Sequence, residues 1–498
     1  MKKLYNKTPV LNTLIFATII MVSFISSVSY ADEIDVFIKH EMTKQKIPGL
    51  QLAVVQNNHI IKTKSYGLAN IEDTVPVDND TLFSINSITK VFTGVAVMQL
   101  VEEGKIDISK KISSYLPNLP VTWQDRTIKQ LMSHTSGLPE ILANDVGKLI
   151  SDKGPDVAWE LVQTLPNEFV AASKFKYNQT NYIVIGKIIE KITNQPFVDF
   201  IRENQLQKVG MERTEYAGFS NLNNVIKHSA RRYTYYYNQQ LSNINTEEYS
   251  PMLYPAVGMS STATELAKWI IALQKNMLLQ EDSSIDALWK PAILNNGRTQ
   301  GFNKLLNGYA LGWPVVVRKQ HPAVAPSGGN RSAFFIYPED KLSIVVLTNL
   351  MGGIPSLFID DIAGFYITEM KKENGFGLPS SIKVLFHELE KNGYDKAIHV
   401  AESLQRKEEV KLTESEVNDF GYWLVGQDKI QQALHVFLLN TDIFPESSNT
   451  FDSVAETYWR LNNIEQAISG YEKVLKLKPS NHHAQSQLSK LKKIKLKD

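Results

Sequence analysis

Strand-forming runs occur at two places far apart in this chain, and they limit its folds more than any other feature. Leu50-Gln51-Leu52-Ala53-Val54-Val55 is followed by a polar turn at Gln56-Asn57-Asn58 and by His59-Ile60-Ile61-Lys62-Thr63-Lys64. Much later, Ser332-Ala333-Phe334-Phe335-Ile336-Tyr337 and Leu342-Ser343-Ile344-Val345-Val346-Leu347 flank Pro338-Glu339-Asp340. Each pair of apolar runs joined by a turn predicts a β-hairpin. A short helix is expected over residues 34–46, and the sequence between the hairpins is mainly helical in pattern. Strands at both ends with helices between them predict an α+β fold. It would be one antiparallel sheet flanked by helices, with an all-helical region inserted.

A different region begins near residue 375. Asn374-Gly375-Phe376-Gly377-Leu378-Pro379 reads as a linker, and the chain beyond it is helical and repetitive in pattern. Ile430 and Ile464, Ala433 and Ala467, Phe437 and Tyr471, and Pro445 and Pro479 each stand 34 apart, the tetratricopeptide period. A further repeat at Gly393-Tyr394-Asp395-Lys396-Ala397 is irregular, because Ala397 precedes Ala433 by 36. One helix pair cannot bury its apolar face alone, so neighbours stack. Residues 380–498 are therefore expected to form an all-α, tetratricopeptide-like domain with a concave surface for a peptide or protein partner. The other reading is a stacked cap on the preceding domain.

Lys2, Lys3 and Lys7 precede a mostly apolar run from Leu11 to Val28, and Ser29-Tyr30-Ala31 matches a small-x-small cleavage site. Residues 1–31 thus read as an export signal, with Asp32 opening the mature chain. The rival is an uncleaved membrane anchor, since the run is long enough to span a bilayer. The expected location is periplasmic or extracellular, and residues 32–375 are expected to form the first folded domain. A formal net charge of +1 over 498 residues gives no basic excess for nucleic acid. The absence of cysteine excludes disulfides, thiolate metal sites and cysteine catalysis. The ten histidines make no metal-ligand pattern, so no metal or organic cofactor is expected.

Within the first domain, Ser87-Ile88-Thr89-Lys90 carries the chemistry. A serine hydroxyl needs a base to take its proton, and residues three apart on a helix share one face. A lysine one turn away can be that base if burial keeps its amine neutral. The spacing recurs at Ser173/Lys176, Ser380/Lys383 and Ser489/Lys492, but only Ser87 opens a long apolar run, with Val91, Phe92, Val95, Met98 and Val101 at helical spacing. Tyr177-Asn178-Gln179 precedes another helix and offers a second proton-handling group and a side-chain amide. Pro326-Ser327-Gly328-Gly329-Asn330-Arg331 precedes the late hairpin, where glycines let backbone approach a substrate closely.

These stretches, with Leu131-Met132-Ser133-His134-Thr135-Ser136-Gly137-Leu138-Pro139 and Val346-Leu347-Thr348-Asn349, resemble the serine β-lactamase and penicillin-binding protein superfamily in its class C β-lactamase-like branch. Gly258-Met259-Ser260-Ser261-Thr262 and Tyr309-Ala310-Leu311-Gly312-Trp313 are similar to that branch as well. The resemblance covers about residues 34–370, in family order. It implies a β-lactamase/transpeptidase-like fold, acylation of Ser87, and proton transfer shared by Lys90 and Tyr177. It implies an oxyanion hole from the backbone N–H groups of Ser87 and Gly329, and substrate contacts from Gln179, Ser327 and Gly328. His134 would be structural. Pro326 departs from the family pattern, which has a cation there; Arg331 is the candidate replacement. The departure weakens a β-lactamase or carboxypeptidase assignment more than hydrolysis in general.

The expected function is an exported serine hydrolase acting on an amide or ester, whether a D-amino-acid peptide, a β-lactam-like compound or a small ester. The alternative is a catalytically degenerate cell-envelope binding module whose helical repeats recruit a protein.

Overall fold

The computed structural model describes residues 33–143, 148–219, 225–235, 240–244, 249–372, 380–426 and 428–495. The expected export segment at 1–31 and the linker Asn374–Pro379 lie outside the described residues. No helix among the described residues is long and apolar enough to cross a membrane.

Both expected hairpins form, and they join. The strands are β1 (Gly49–Gln56), β2 (His59–Asn70), β3 (Val75–Pro76), β4 (Gly308–Tyr309), β5 (Pro314–Val316), β6 (Ala323–Val324), β7 (Ser327–Gly328), β8 (Ser332–Tyr337) and β9 (Leu342–Thr348). They make one antiparallel sheet in the order β3-β2-β1-β9-β8-β6-β5-β4, with β7 pairing β8. Asn57 and Asn58 close the β1–β2 turn with φ of 50° and 60°, the left-handed geometry that two-residue hairpins favour. The two hairpins meet where β1 lies along β9, from Leu50 opposite Thr348 to Gln56 opposite Leu342.

Side chains alternate between the two faces of the sheet. Ala53 and Val55 of β1, Phe334 and Ile336 of β8, and Val345 and Leu347 of β9 join the core shared with the middle helices. Leu52 and Val54, Phe335 and Tyr337, and Ile344 and Val346 point the other way. There they pack against the helix at 33–44 and the helix Ile359–Ala363. With helices on both faces, the central strands are buried throughout, and they read as continuous apolar runs rather than as polar–apolar alternation.

Helix α1 (Thr89–Glu102) runs through the larger core, buried from Thr89 to Leu100. Its sequence is apolar on every side, the pattern of an interior helix. Helix α2 (Gln179–Thr193) packs beside it, and Asn178 caps α2 by accepting from the Asn181 N–H (3.1 Å).

The C-terminal region is all helical. It comprises α3 (Ser380–Asn392), α4 (Ala397–Arg406), α5 (Glu414–Gly426), α6 (Ile430–Ile443), α7 (Ser448–Arg460), α8 (Ile464–Leu477) and α9 (His482–Lys495). Helix α8 opens on Ile464, 34 residues after α6 opens on Ile430, and α9 follows α7 at the same spacing. The region docks on the first domain. Lys304 pairs with Glu416 (2.9 Å) and Lys383 with Asp361 (3.3 Å). At Gly352 and Gly426 the two backbones touch: a Cβ on Gly426 would come within 2.8 Å of the Gly352 Cα.

Candidate active site

Ser87 lies in the 3₁₀ turn Asn86–Ile88 that leads into α1. Asn86 just before it has φ of 45°, a left-handed conformation that asparagine tolerates better than most residues. Its side chain is fixed at both ends, accepting from the Ser84 hydroxyl (2.9 Å) and donating to the Tyr249 hydroxyl (3.3 Å). This turn presses on β7. A Cβ at Gly328 would fall 2.0 Å from Ile85 O and 2.9 Å from Ser87 N, and one at Gly329 would lie 2.8 Å from Asn86 Cγ. Glycine is the only residue that lets these two backbones meet, because it alone lacks a Cβ. Gly329, with φ of 57°, thereby comes beside the Ser87 turn.

Lys90 stands in the first turn of α1 and is 1% exposed. Its Nζ donates to Gln179 Oε1 (2.8 Å) and to Ala256 O (2.9 Å). The ring faces of Tyr177 and Tyr182 cover it at 4.7 and 5.2 Å. Burial lowers its pKa to about 7, against the opposing pull of the Glu140 charge. An ammonium has three N–H groups to satisfy, and this pocket supplies two acceptors. A neutral amine fits it: two N–H groups are satisfied, and one lone pair is left to take a proton.

Tyr177 lies between Lys90 and the cavity. Burial raises its hydroxyl above the ordinary tyrosine value, while hydrogen bonds to the Ser87 and Gln179 side chains pull it down. Its ring packs on His134 at 4.4 Å and on Phe302 at 5.1 Å. His134 is fully buried, and its Nδ1 accepts from the Asn178 N–H (3.1 Å). Burial first, and the Lys90 charge second, hold His134 well below the usual histidine range, so it is neutral and supports the tyrosine loop. Glu140 accepts from the backbone N–H groups of Gln179 (3.0 and 3.2 Å), Ile141 (2.8 Å) and Leu142 (3.1 Å). Burial raises its pKa against these bonds. It lies at the N-terminus of α2, where a carboxylate is favoured by the helix dipole.

A cavity of about 440 Å³ opens here, and Ser87, Tyr177, Ser327, Gly328 and Gly329 line it. Lys90 and Gln179 lie behind that wall, joined to each other. Arg331 is 1% exposed and off the wall. Its Nε–H points back at Gly329 O (3.4 Å). Pro326 is also buried, its carbonyl accepting from the Phe334 N–H (3.0 Å). Sequence reasoning did not reach Asn86 or Glu140. Their positions flanking Ser87 and the Leu131–Pro139 stretch were the available signal. It also did not reach the opposite wall, which comes from α3 and α5 of the C-terminal region, including Phe386, Glu416, Asp419 and Trp423. Among the described residues, no group of three or more His, Cys, Asp or Glu could hold a metal ion.

A family model described as Beta-lactamase matches residues 34–368, ending before α3. Protein flp of Staphylococcus aureus (strain N315) is 28% identical over 330 residues, covering 64% of this chain and 63% of that protein. Penicillin-binding protein 4* of Bacillus subtilis (strain 168) is 27% identical over 294 residues, covering 54% of this chain and 64% of that protein. The chain thus spans less than two thirds of the length of these curated relatives. The octameric penicillin-binding protein homologue from Pyrococcus abyssi aligns with a TM-score of 0.58 at 21% identity, over 71% of this chain and 81% of that one, a likeness of fold.

Proposed function

The chain belongs to the Beta-lactamase family, and we propose that it is a serine hydrolase working through an acyl-enzyme on Ser87. The observation that carries this reading is the state of Lys90. Its amine is buried, has two acceptors for two N–H groups, and is held near neutrality one helical turn from Ser87.

The steps follow from that arrangement. The Lys90 lone pair takes the Ser87 proton, relayed through the Tyr177 hydroxyl. The Ser87 oxygen attacks the carbonyl carbon of an amide or ester. The backbone N–H groups of Ser87 and Gly329 hold the developing oxyanion, the term that usually contributes most. The tetrahedral intermediate collapses, the C–N or C–O bond breaks, and Tyr177 returns the proton to the departing amine or alcohol. Water then enters by the same route in reverse, giving the acid and restoring Ser87.

Pro326 supplies no charge and no side-chain donor, and Arg331 is turned away from the cavity. This favours an ester or an aminoacyl amide over a substrate held by its own carboxylate, as a β-lactam or a carboxypeptidase substrate would be. Export through residues 1–31 and a tetratricopeptide character for residues 430–495 belong to the same proposal. The latter is supported by helix starts that recur at 34 residues.

The test is intact-protein mass spectrometry after exposure to a fluorophosphonate and, separately, to a fluorescent penicillin. The expected result is one adduct on Ser87 from the fluorophosphonate and none in Ser87→Ala. Folded protein that takes no adduct from either reagent would overturn the reading and favour a binding module.

A further inference from the structure

The C-terminal helices supply part of the lining of the cavity that Ser87 opens on, and the charged groups around that cavity are not balanced. Glu41, Asp361, Glu416 and Asp419 line the cavity, against Lys44 and Lys383. The lysines are engaged: Lys44 with Glu41 (3.2 Å), Lys383 with Asp361 (3.3 Å), and Lys304, from outside the wall, with Glu416 (2.9 Å). Asp419 is left, and among the described residues no cation pairs with it. It opens onto the cavity, one helical turn from Glu416 on α5.

Glu416 gives the second, independent sign. It is 2% exposed. Its Oε2 accepts from Lys304 and from the Thr413 hydroxyl (2.6 Å), while its Oε1 has no hydrogen-bond partner. A buried carboxylate oxygen without a donor is costly to leave so, and a bound group that brings an N–H would relieve it. Around these two acids stand Phe386, Phe420, Tyr422 and Trp423, whose ring faces attract cations. The Trp423 indole N–H is also buried without a hydrogen-bond partner.

We infer that the helical region completes the substrate pocket, and that Asp419 and Glu416 bind a cationic nitrogen, an ammonium or guanidinium, on the substrate acylating Ser87. This deepens the acyl-enzyme reading and rests on it for the identity of the reacting atom. The residues concerned lie beyond the family match, which ends at residue 368, so the specificity is added to the hydrolase rather than built into its fold. Asp419 is exposed to solvent; the protein packed around its carboxyl first, and the Glu416 charge second, push it up to about 6. Above that pH it is ionised and attracts the cation; below it the attraction fades. The charged groups on the surrounding elements, Glu41, Lys44, Asp361, Lys383 and Lys304, are held in the pairs named above.

The test is calorimetric, on Ser87→Ala protein, which cannot turn a ligand over. ω-Aminoacyl amides with chains of two to six methylenes are titrated at pH 7.5 against their N-acetyl counterparts. The expected result is at least tenfold tighter binding of the amines at one or more lengths. That preference should shrink as pH falls through about 6, and it should be lost in Ser87→Ala/Asp419→Asn. Equal affinities along the whole ladder, or a preference that survives Asp419→Asn, would overturn the inference. Failure of wild-type Ser87 to take a fluorophosphonate would strike the acyl-enzyme reading alone, since the amine preference is measured without turnover.

Discussion

The two walls of the cavity treat charge in opposite ways. On the hydrolase wall, burial strips the charge from a base. Lys90 is sealed by two tyrosine rings and falls to about 7. On the helical wall, Asp419 stays exposed to solvent, and the protein packed around its carboxyl, with the Glu416 charge behind it, lifts it to about 6. Loss of water disfavours whichever form is charged; it is nearly complete around Lys90, whereas at Asp419 it is partial and a like charge on Glu416 adds to it. The company differs as well. Lys90, Gln179, Glu140 and Asn86 each have fixed partners on neighbouring elements. Among the described residues no cation pairs with Asp419, and Glu416 Oε1 and the Trp423 N–H have no hydrogen-bond partner. Chemistry needs groups already in position before the substrate arrives, whereas recognition is served by groups whose last partner is the substrate.

The comparison breaks first at Lys90. Lys90→Met keeps the volume of the side chain and removes the amine. General-base catalysis contributes about 10²–10⁴-fold, so kcat/KM for a simple ester should fall by that much while the circular dichroism spectrum is retained. In the wild type, protonation of Lys90 removes the base, so kcat/KM should rise about tenfold per pH unit up to about 7 and then level off. That limb should vanish in Lys90→Met. Stability carries the same signature. The unfolded chain keeps the lysine proton up to about 10.5, while the folded one releases it near 7. The unfolded state therefore binds more protons between these values, and stability rises with pH across that window. Denaturant midpoints measured from pH 7 to 10 should show a flatter slope in Lys90→Met. An unchanged slope would mean that Lys90 is not the neutral base.

The next effect in size is at the contact between β7 and the Ser87 turn. Gly328→Ala would drive a Cβ to 2.0 Å from Ile85 O, and backbone must move to admit it. Losing one oxyanion donor costs about 10²–10³ in kcat, and overpacking costs about 1–3 kcal/mol in stability. Steady-state kinetics and a urea titration of the same sample check both. A variant that loses stability while keeping kcat would show that Gly328 serves packing alone.

How far the sequence could be read follows the same division. Both hairpins are local patterns of apolar runs and turn residues, and both form. Their union in one sheet was expected from strands standing at both ends of a helical stretch, but not the pairing of β1 with β9 that joins them. Ser87 stood out among four serine–lysine spacings because an apolar run comes directly after it. Burial separates them: Lys176 and Lys492 are 49% and 53% exposed on surface acids, against 1% for Lys90. Arg331, expected to replace the missing cation at Pro326, instead lies behind the loop, since a buried guanidinium next to a strand edge finds carbonyls nearer than the cavity. The second wall left no readable trace, because Asp419 reaches the site only through docking of α5. That docking depends on two glycines, 352 and 426, whose meeting neither local sequence declares.

Those glycines give the smallest effect and the finest division between the walls. Gly426 ends α5 in a helical conformation, and a Cβ there would meet the Gly352 Cα at 2.8 Å. Gly426→Ala therefore has two opposed consequences. Alanine favours the helix by up to about 1 kcal/mol, while the contact pushes α5 away from the first domain, so the melting temperature should change little. The site should answer more clearly. If α5 only recognises substrate, KM for an amine-bearing ester should rise a few-fold with kcat unchanged. The alternative has a visible route. The N–H groups of Gly352 and Ile354 both donate to Asn330 O (3.1 and 3.0 Å), and Asn330 follows Gly329. A push on Gly352 that reached the oxyanion loop would lower kcat for charged and uncharged esters alike, and the two walls would then be one mechanical unit rather than a catalytic face and a recognising one.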